Sequence, residues 1–163
     1  MLAGLTYLAS HDLDSARRCL MQAVDVAGLS DARVRSDALM VLGDLATESG
    51  DLDGAQDLYA RTAALAAELQ DQAAAGRALG AIGRLCVRQQ RYPDAIEYLH
   101  QAVARLQGDL SLHVELAAAL LAAGQAVAAS AVLGGVLAID PGYPQALALR
   151  DHLTAADPEL ASN

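Results

Sequence analysis

An interval of 12 residues recurs four times in this chain of 163. Gly4 to Ala16, Gly43 to Ala55, Gly83 to Ala95 and Ala117 to Ala129 each join a small residue to an alanine. The same local pattern of apolar residues surrounds each pair. Such a chain is an array of one supersecondary unit, each copy burying its apolar face against its neighbours. Function in an array of this kind lies on a surface that several units build together, so a single catalytic centre is not expected.

The second copy reads Leu39-x-x-Leu42-Gly43-x-x-Ala46, then Gly50, then Ala55-x-x-x-Tyr59. Spacings of three and four put the first set on one helix face. Gly50 ends that helix, and Asp51 and Asp53 stand where a second helix wants caps or dipole charge. The third copy reads Leu79-x-x-Ile82-Gly83-x-x-Cys86, a turn over residues 90–93, then Ala95-x-x-x-Leu99-x-x-Ala102. Pro93 suits the first turn of its helix, where a missing N–H costs nothing. The fourth reads Leu116-Ala117-x-x-Leu120, Gly124, Ala129-x-x-x-Leu133, and closes on Asp140-Pro141-Gly142. The first is clipped: Ala3-Gly4-x-x-Tyr7, a turn over 11–14, then Ala16-x-x-x-Leu20-x-x-Ala23.

Composition agrees with helices. Hydrophobic residues make up 54% of the chain, but aromatics only 3%, with Ala and Leu dominant and β-branched residues sparse, which favours an all-α protein. The net charge of −9, with no basic tract, opposes binding to nucleic acid or to anionic membrane surfaces. All 11 basic residues are Arg, which with abundant Ala and Gly points to a GC-rich bacterial genome. Cys19 and Cys86 have no metal-ligand spacing and read as reduced thiols of a cytoplasmic protein. Residues 116–139 carry no charge and are long enough to span a bilayer. Gly124, Gln125, Ser130, Gly134 and Gly135 interrupt them, and the repeat puts a turn at Gly124, so membrane insertion is not expected.

This pattern resembles the tetratricopeptide repeat, W-x2-L-G-x2-Y, then A-x3-F, then P. Leu39, Leu79 and His113 stand at the Trp position, and Pro141 is the one terminal proline. The copies start 39, 40 and 34 residues apart, against a family period of about 34. The longer steps predict helix extensions around residues 26–35 and 65–75. The resemblance implies a right-handed α-solenoid of antiparallel helix pairs, with units over about 1–30, 36–75, 76–109 and 110–142. Residues 143–156 are expected to form a C-terminal capping helix, with Leu147 and Leu149 covering the last unit and Arg150, Asp151 and His152 facing water. Residues 157–163 are expected to be a disordered tail. The clipped first copy reads as a boundary inside a longer protein, and Leu2, Leu5 and Leu8 would leave an apolar face open to homo-oligomerisation.

In this family the first helix of each pair lines a concave groove. Residues between its packing positions then face the groove: Asp37, Met40, Val41, Asp44, Thr47 and Glu48 in the second unit; Arg77, Gly80, Ala81, Arg84, Val87 and Arg88 in the third; Ser111, Val114, Glu115, Ala118, Leu121 and Ala122 in the fourth. Arg77, Arg84 and Arg88 share one helix face and can hold a carboxylate or acidic peptide. A competing arrangement pairs Arg84 and Arg88 with Asp44 and Glu48 on the neighbouring helix. Val114, Ala118, Leu121 and Ala122 form an apolar end, suited to an amphipathic segment unless the capping helix fills it. The chaperone-binding subtype, which clamps a C-terminal carboxylate with Lys and Asn, is set aside: Asp44, Arg84 and Ala118 stand at the Asn-type position, and the chain has no Lys.

No catalytic, metal or cofactor motif is present. His11, His100, His113 and His152 are isolated from one another and from cysteine. Asp51-Leu52-Asp53-Gly54 begins like a calcium loop, but Ala55 and the missing later Glu break it. Asp12 and Asp14 repeat the same spacing at the same place, as helix starts would. The expected function is therefore non-catalytic: a scaffold or adaptor that binds an acidic or amphipathic peptide or protein segment. The alternatives are the ligand-sensing or oligomerisation region of a larger bacterial regulator, or a helper region of an enzyme whose catalytic domain lies elsewhere.

Overall fold

A computed structural model describes residues 13–26 and 32–156. These form α1 (Leu13–Val26), α2 (Ala32–Ser49), α3 (Leu52–Glu68), α4 (Gln72–Arg88), α5 (Tyr92–Arg105), α6 (Leu110–Ala122), α7 (Ala126–Ile139) and α8 (Pro144–Ala156). There is no strand among the described residues. Consecutive helices pack as antiparallel pairs, and the pairs stack into an α-solenoid. The first half of the first copy, its apolar face at Leu2, Leu5 and Leu8, and the tail over 157–163 lie outside the described residues.

Among the described residues the 12-residue interval marks the packing positions inside a helix pair. Ala55, Ala95 and Ala129 are fully buried, Gly43, Gly83 and Ala117 are buried on the first helices, and a Cβ on Gly83 would lie 3.5 Å from the Ala95 carbonyl. The small residues let a large side chain of the second helix lie against the backbone of the first. A Cβ on Gly43 would fall 2.7 Å from Cδ1 of Tyr59, and one on Gly83 would fall 2.7 Å from Cγ of Leu99. Both distances are far inside van der Waals contact.

The turns close alike. Gly50 and Gly124 have positive φ of 84° and 75°, and Gln70 and Gln90 adopt φ of 55° and 59° at the corresponding place. At each, an N–H one residue on reaches back to the last helical turn: Asp51 to Ala46 O at 2.9 Å, Asp71 to Ala66 O at 2.8 Å, Arg91 to Cys86 O at 2.8 Å, Gln125 to Leu120 O at 2.8 Å. These satisfy carbonyls that the helix end would otherwise orphan. The following helices are capped by Asp51, which accepts from Gly54 N–H, by Asp71 from Ala74, and by Asp109 from Ser111 and Leu112. Pro93 sits in the first turn of α5. The Asp12 and Asp14 side chains lie outside the described residues.

The extra length of the 40-residue step lies in the helices: α3 and α4 have 17 residues each, whereas α5 has 14 and α6 has 13. The uncharged stretch breaks at Gly124 into α6 and α7, and no described helix is long and apolar enough to cross a membrane. The core is one continuous cluster from Ala46, Ala55 and Tyr59 through to Ala146 and Leu153. Leu20, Ala38, Leu42 and Leu45 form a separate cluster between α1 and α2. In α8 Ala146 and Leu153 are buried, and Leu149, expected to cover the last unit, packs half-buried against the same core, whereas Leu147 is half-buried outside that cluster. Spacings of three and four put Ala146, Leu149 and Leu153 on one face of α8. Arg150, Asp151 and His152 face solvent.

Candidate functional site

The first helices α2 and α4 lie side by side, and two recesses follow one another along their seam. The first, about 230 Å³, is lined by Ser36, Asp37, Met40 and Val41 of α2, Thr62 of α3, and Ala74 and Arg77 of α4. The second, about 410 Å³, is lined by Asp44, Thr47 and Glu48 of α2, Tyr59 of α3, and Ala81, Arg84, Leu85 and Arg88 of α4. Lining positions recur every three to four residues on each helix, singly or as adjacent pairs, so each helix offers one stripe to the cleft.

The polar contacts differ from the expected ladder. Arg84 does not pair with Asp44. Its Nη1 donates to Glu115 Oε2 at 3.0 Å and to Oε1 at 3.3 Å, across to α6. Asp44 is engaged from behind, by the second helix of its own unit: the Tyr59 hydroxyl donates to Asp44 Oδ1 at 2.7 Å. Thr47 Oγ1 lies 3.2 Å from the same hydroxyl and donates to Gly43 O at 2.9 Å. Arg88 makes no ion pair with Glu48; its Nη1 donates to the Thr47 carbonyl at 3.4 Å. Burial, more than the Asp44 carboxylate beside it, pushes the Tyr59 hydroxyl up to about 12, so it stays a neutral donor at any ordinary pH.

The result is a cleft with fixed and free charge. Asp44 is bound to a phenol and Arg84 to Glu115, an exposed pair of about 0–1 kcal/mol. Arg88 is held by one long hydrogen bond, and Glu48 makes no ion pair. Asp37 and Arg77 face the first recess from opposite helices and form neither a hydrogen bond nor an ion pair among the described residues. Of the expected groove residues, Asp37, Met40, Val41 and Arg77 meet in the first recess, and Asp44, Thr47, Glu48, Arg84 and Arg88 in the second. Glu115 joins them through Arg84. Val87, Val114, Ala118 and Leu121 line neither recess, and Val87, Val114 and Leu121 pack partly against the core.

Ser36, Tyr59 and Thr62 were not among the expected site residues. Tyr59 reads as a packing residue, and it is one. Its hydroxyl reaches the cleft only because Gly43 lets the ring lie flat on α2. Ser36 is a polar residue seven positions before Gly43, on the packing face, and that misfit with the apolar pattern is its signal. Among the described residues no group of three or more His, Cys, Asp or Glu is placed to hold a metal ion.

Tetratricopeptide repeat profiles match residues 34–108 and 87–153, overlapping across the middle of the solenoid. The chain belongs to the tetratricopeptide repeat family. Among solved structures its fold is similar to MamA, with a TM-score of 0.78 at 17% identity, covering 95% of this chain and 84% of that one. It is also similar to nearly identical TPR-like repeats of a putative kinesin light chain from Podosopora anserina, with a TM-score of 0.74 at 20% identity, covering 97% and 86%. A third likeness is to a chain of the APC/C hetero-tetramer Cut9–Hcn1, with a TM-score of 0.73 at 19% identity, covering 92% of this chain but 28% of that one. No curated protein matches the sequence. Tetratricopeptide repeats are typically non-catalytic interaction scaffolds, and membership supports that general role for this protein.

Proposed function

We propose that this protein is a scaffold whose cleft between α2 and α4, extended toward α6, holds a peptide or protein segment. The observation that carries the reading is the pair of recesses along one seam, with Arg77, Arg88 and Glu48 free of ion pairs at their edges. Rigid helices hold these groups in place before any partner arrives, which limits the ordering cost of binding. Arg88 and Arg77 can take carboxylates or backbone carbonyls of an extended segment, while Met40, Val41 and Leu85 supply apolar surface. The likeness to a chain crystallised in a hetero-tetramer is in keeping with this use of the fold. The partner is an acidic or amphipathic segment and not nucleic acid, given the charge of −9. Free thiols at Cys19 and Cys86 and the Arg-only composition fit a bacterial cytoplasm.

The test is a peptide selected from a random linear library on the full chain and measured by titration calorimetry. Arg84→Ala combined with Arg88→Glu should weaken it at least tenfold, since hydrogen bonds to charged groups contribute about 1.5–3 kcal/mol. Helical circular dichroism should be unchanged. Peptides that bind wild type and double variant equally would refute the cleft as the binding surface.

A further inference from the structure

The recess between Ser36 and Arg77 contains an unsatisfied group. Ser36 lines it and is 3% exposed; its Oγ is closed off and has no hydrogen-bond partner, so a tip seated in the recess reaches it only when the Ser36 side chain turns to another rotamer. A buried hydroxyl left this way costs free energy that an alanine would not. The walls around it are mostly apolar, from Met40, Val41, Ala74 and the body of Thr62. The Thr62 hydroxyl donates to Leu58 O at 2.9 Å, within its own helix. A water on Ser36 would thus lack the two to four strong partners that hold a buried water in place. Ser is also a weaker helix former than Ala at this position. Neither packing nor helix formation accounts for the hydroxyl.

We propose that this recess is an anchor pocket for one side chain of the bound segment. The side chain is uncharged, with an apolar body and a hydrogen-bonding tip, tyrosine being the type case. This rests on the cleft reading above and specifies its chemistry. The volume of about 230 Å³ is below the roughly 300 Å³ at which small-molecule sites begin, and it accommodates one large side chain. An aliphatic residue would fill the walls but leave Ser36 unsatisfied. A charged residue would pay desolvation against apolar walls. A phenol or side-chain amide satisfies both demands, and tyrosine adds contact area with little rotamer entropy to lose. Asp37 and Arg77 flank the recess from opposite helices with an acceptor and a donor free, as the N–H and C=O groups of the segment carrying the anchor require.

The test is a double-mutant cycle on the full chain, using peptides selected from the same random library. Each peptide's polar-tipped residue is replaced by its apolar isostere, Tyr by Phe in the type case. That change should cost about tenfold in affinity on wild type and less than twofold on Ser36→Ala. Ser36→Ala alone should not lower the melting temperature; a fall would make the hydroxyl structural and overturn the proposal. An equal Tyr-to-Phe loss on both proteins, or selected peptides with no such residue, would also overturn it. Peptides sensitive to the Arg84 and Arg88 substitutions but blind to Ser36 would reject the anchor and leave the cleft standing. Peptides sensitive to neither would reject both.

Discussion

Replacing Gly43 by alanine sets two physical effects against each other with opposite signs. In a helix interior alanine is favoured over glycine by about 1 kcal/mol, so propensity alone makes the substitution stabilising. The structure demands the reverse. The new Cβ would fall 2.7 Å from Tyr59 Cδ1 and 2.9 Å from Cζ, with Cε1 closer still. Tyr59 is 3% exposed, and its hydroxyl is anchored on Asp44 at 2.7 Å. The ring can move away only by repacking against α4 or by giving up the bond to Asp44. Overpacking of this kind costs about 1–3 kcal/mol, and losing a hydrogen bond to a carboxylate about 1.5–3 kcal/mol. After the propensity gain the net is a loss of about 1 kcal/mol, or a fall of roughly 2–4 °C in Tm for a chain of this size. Thermal unfolding followed by circular dichroism reads it directly. Tyr59→Leu made on the Gly43→Ala background should be nearly free of added cost, because the clash is gone. A higher Tm for Gly43→Ala, or simple additivity of the two substitutions, would refute the close approach as the reason for glycine.

Two further outcomes follow from the helix ends. Hydrogen bonds from the Ser111 hydroxyl, and then from the Leu112 and Ser111 N–H groups, hold Asp109 below the ordinary carboxylate range. A carboxylate depressed on folding contributes stability above its unfolded pKa of about 3.9, and that contribution is lost as pH falls through the folded value. Asp109→Ala should cost about 1 kcal/mol near neutral pH. Asp109→Asn, which still caps but does not titrate, should flatten the acid limb of stability below about pH 4; unfolding midpoints across a pH series check both. At the α4–α5 turn Gln90 holds φ at 59°, a conformation that costs a residue with a Cβ roughly 1–2 kcal/mol. Gln90→Gly should therefore raise the urea midpoint, and an unchanged or lower midpoint would count against strain at that turn.

The helix pairs were legible in the sequence because packing repeats in phase. Gly43 with Ala55 and Gly83 with Ala95 mark contacts that every unit must make, and Gly50 and Gly124 mark turns by residue type. Gln70 and Gln90 take the same backbone conformation without a residue that announces it; the hydrogen bonds of the helix end impose it. Side-chain partners were less legible, since they depend on competition among three helices. Spacing places Asp44 opposite Arg84, yet the Tyr59 phenol reaches Asp44 first, through the gap at Gly43, and Arg84 turns to Glu115. A single helix face cannot show that a residue behind it will reach through. Ser36 was visible only as a mismatch, polar where the pattern wants apolar, and its burial depends on neighbours far along the chain.

The separation of one small cluster between α1 and α2 from the main core carries a consequence for how the chain breathes. Leu20, Ala38, Leu42 and Leu45 stand apart from the continuous core that begins at Ala46. Both clusters meet in α2, so that helix is shared between a small cooperative unit and a large one. Segments with fewer buried contacts open first, and amide exchange reads their opening free energies separately from global unfolding. The N-terminal half of α2 should thus exchange through local opening while its C-terminal half waits for the whole solenoid. Ser36 is on the side that opens early, while Met40 packs against the larger core. A segment seated between α2 and α4 would stabilise that half in proportion to its own affinity, by mass action alone. Occupancy at the first recess would then be written along the backbone of one helix, as a protection boundary moving toward its N-terminus.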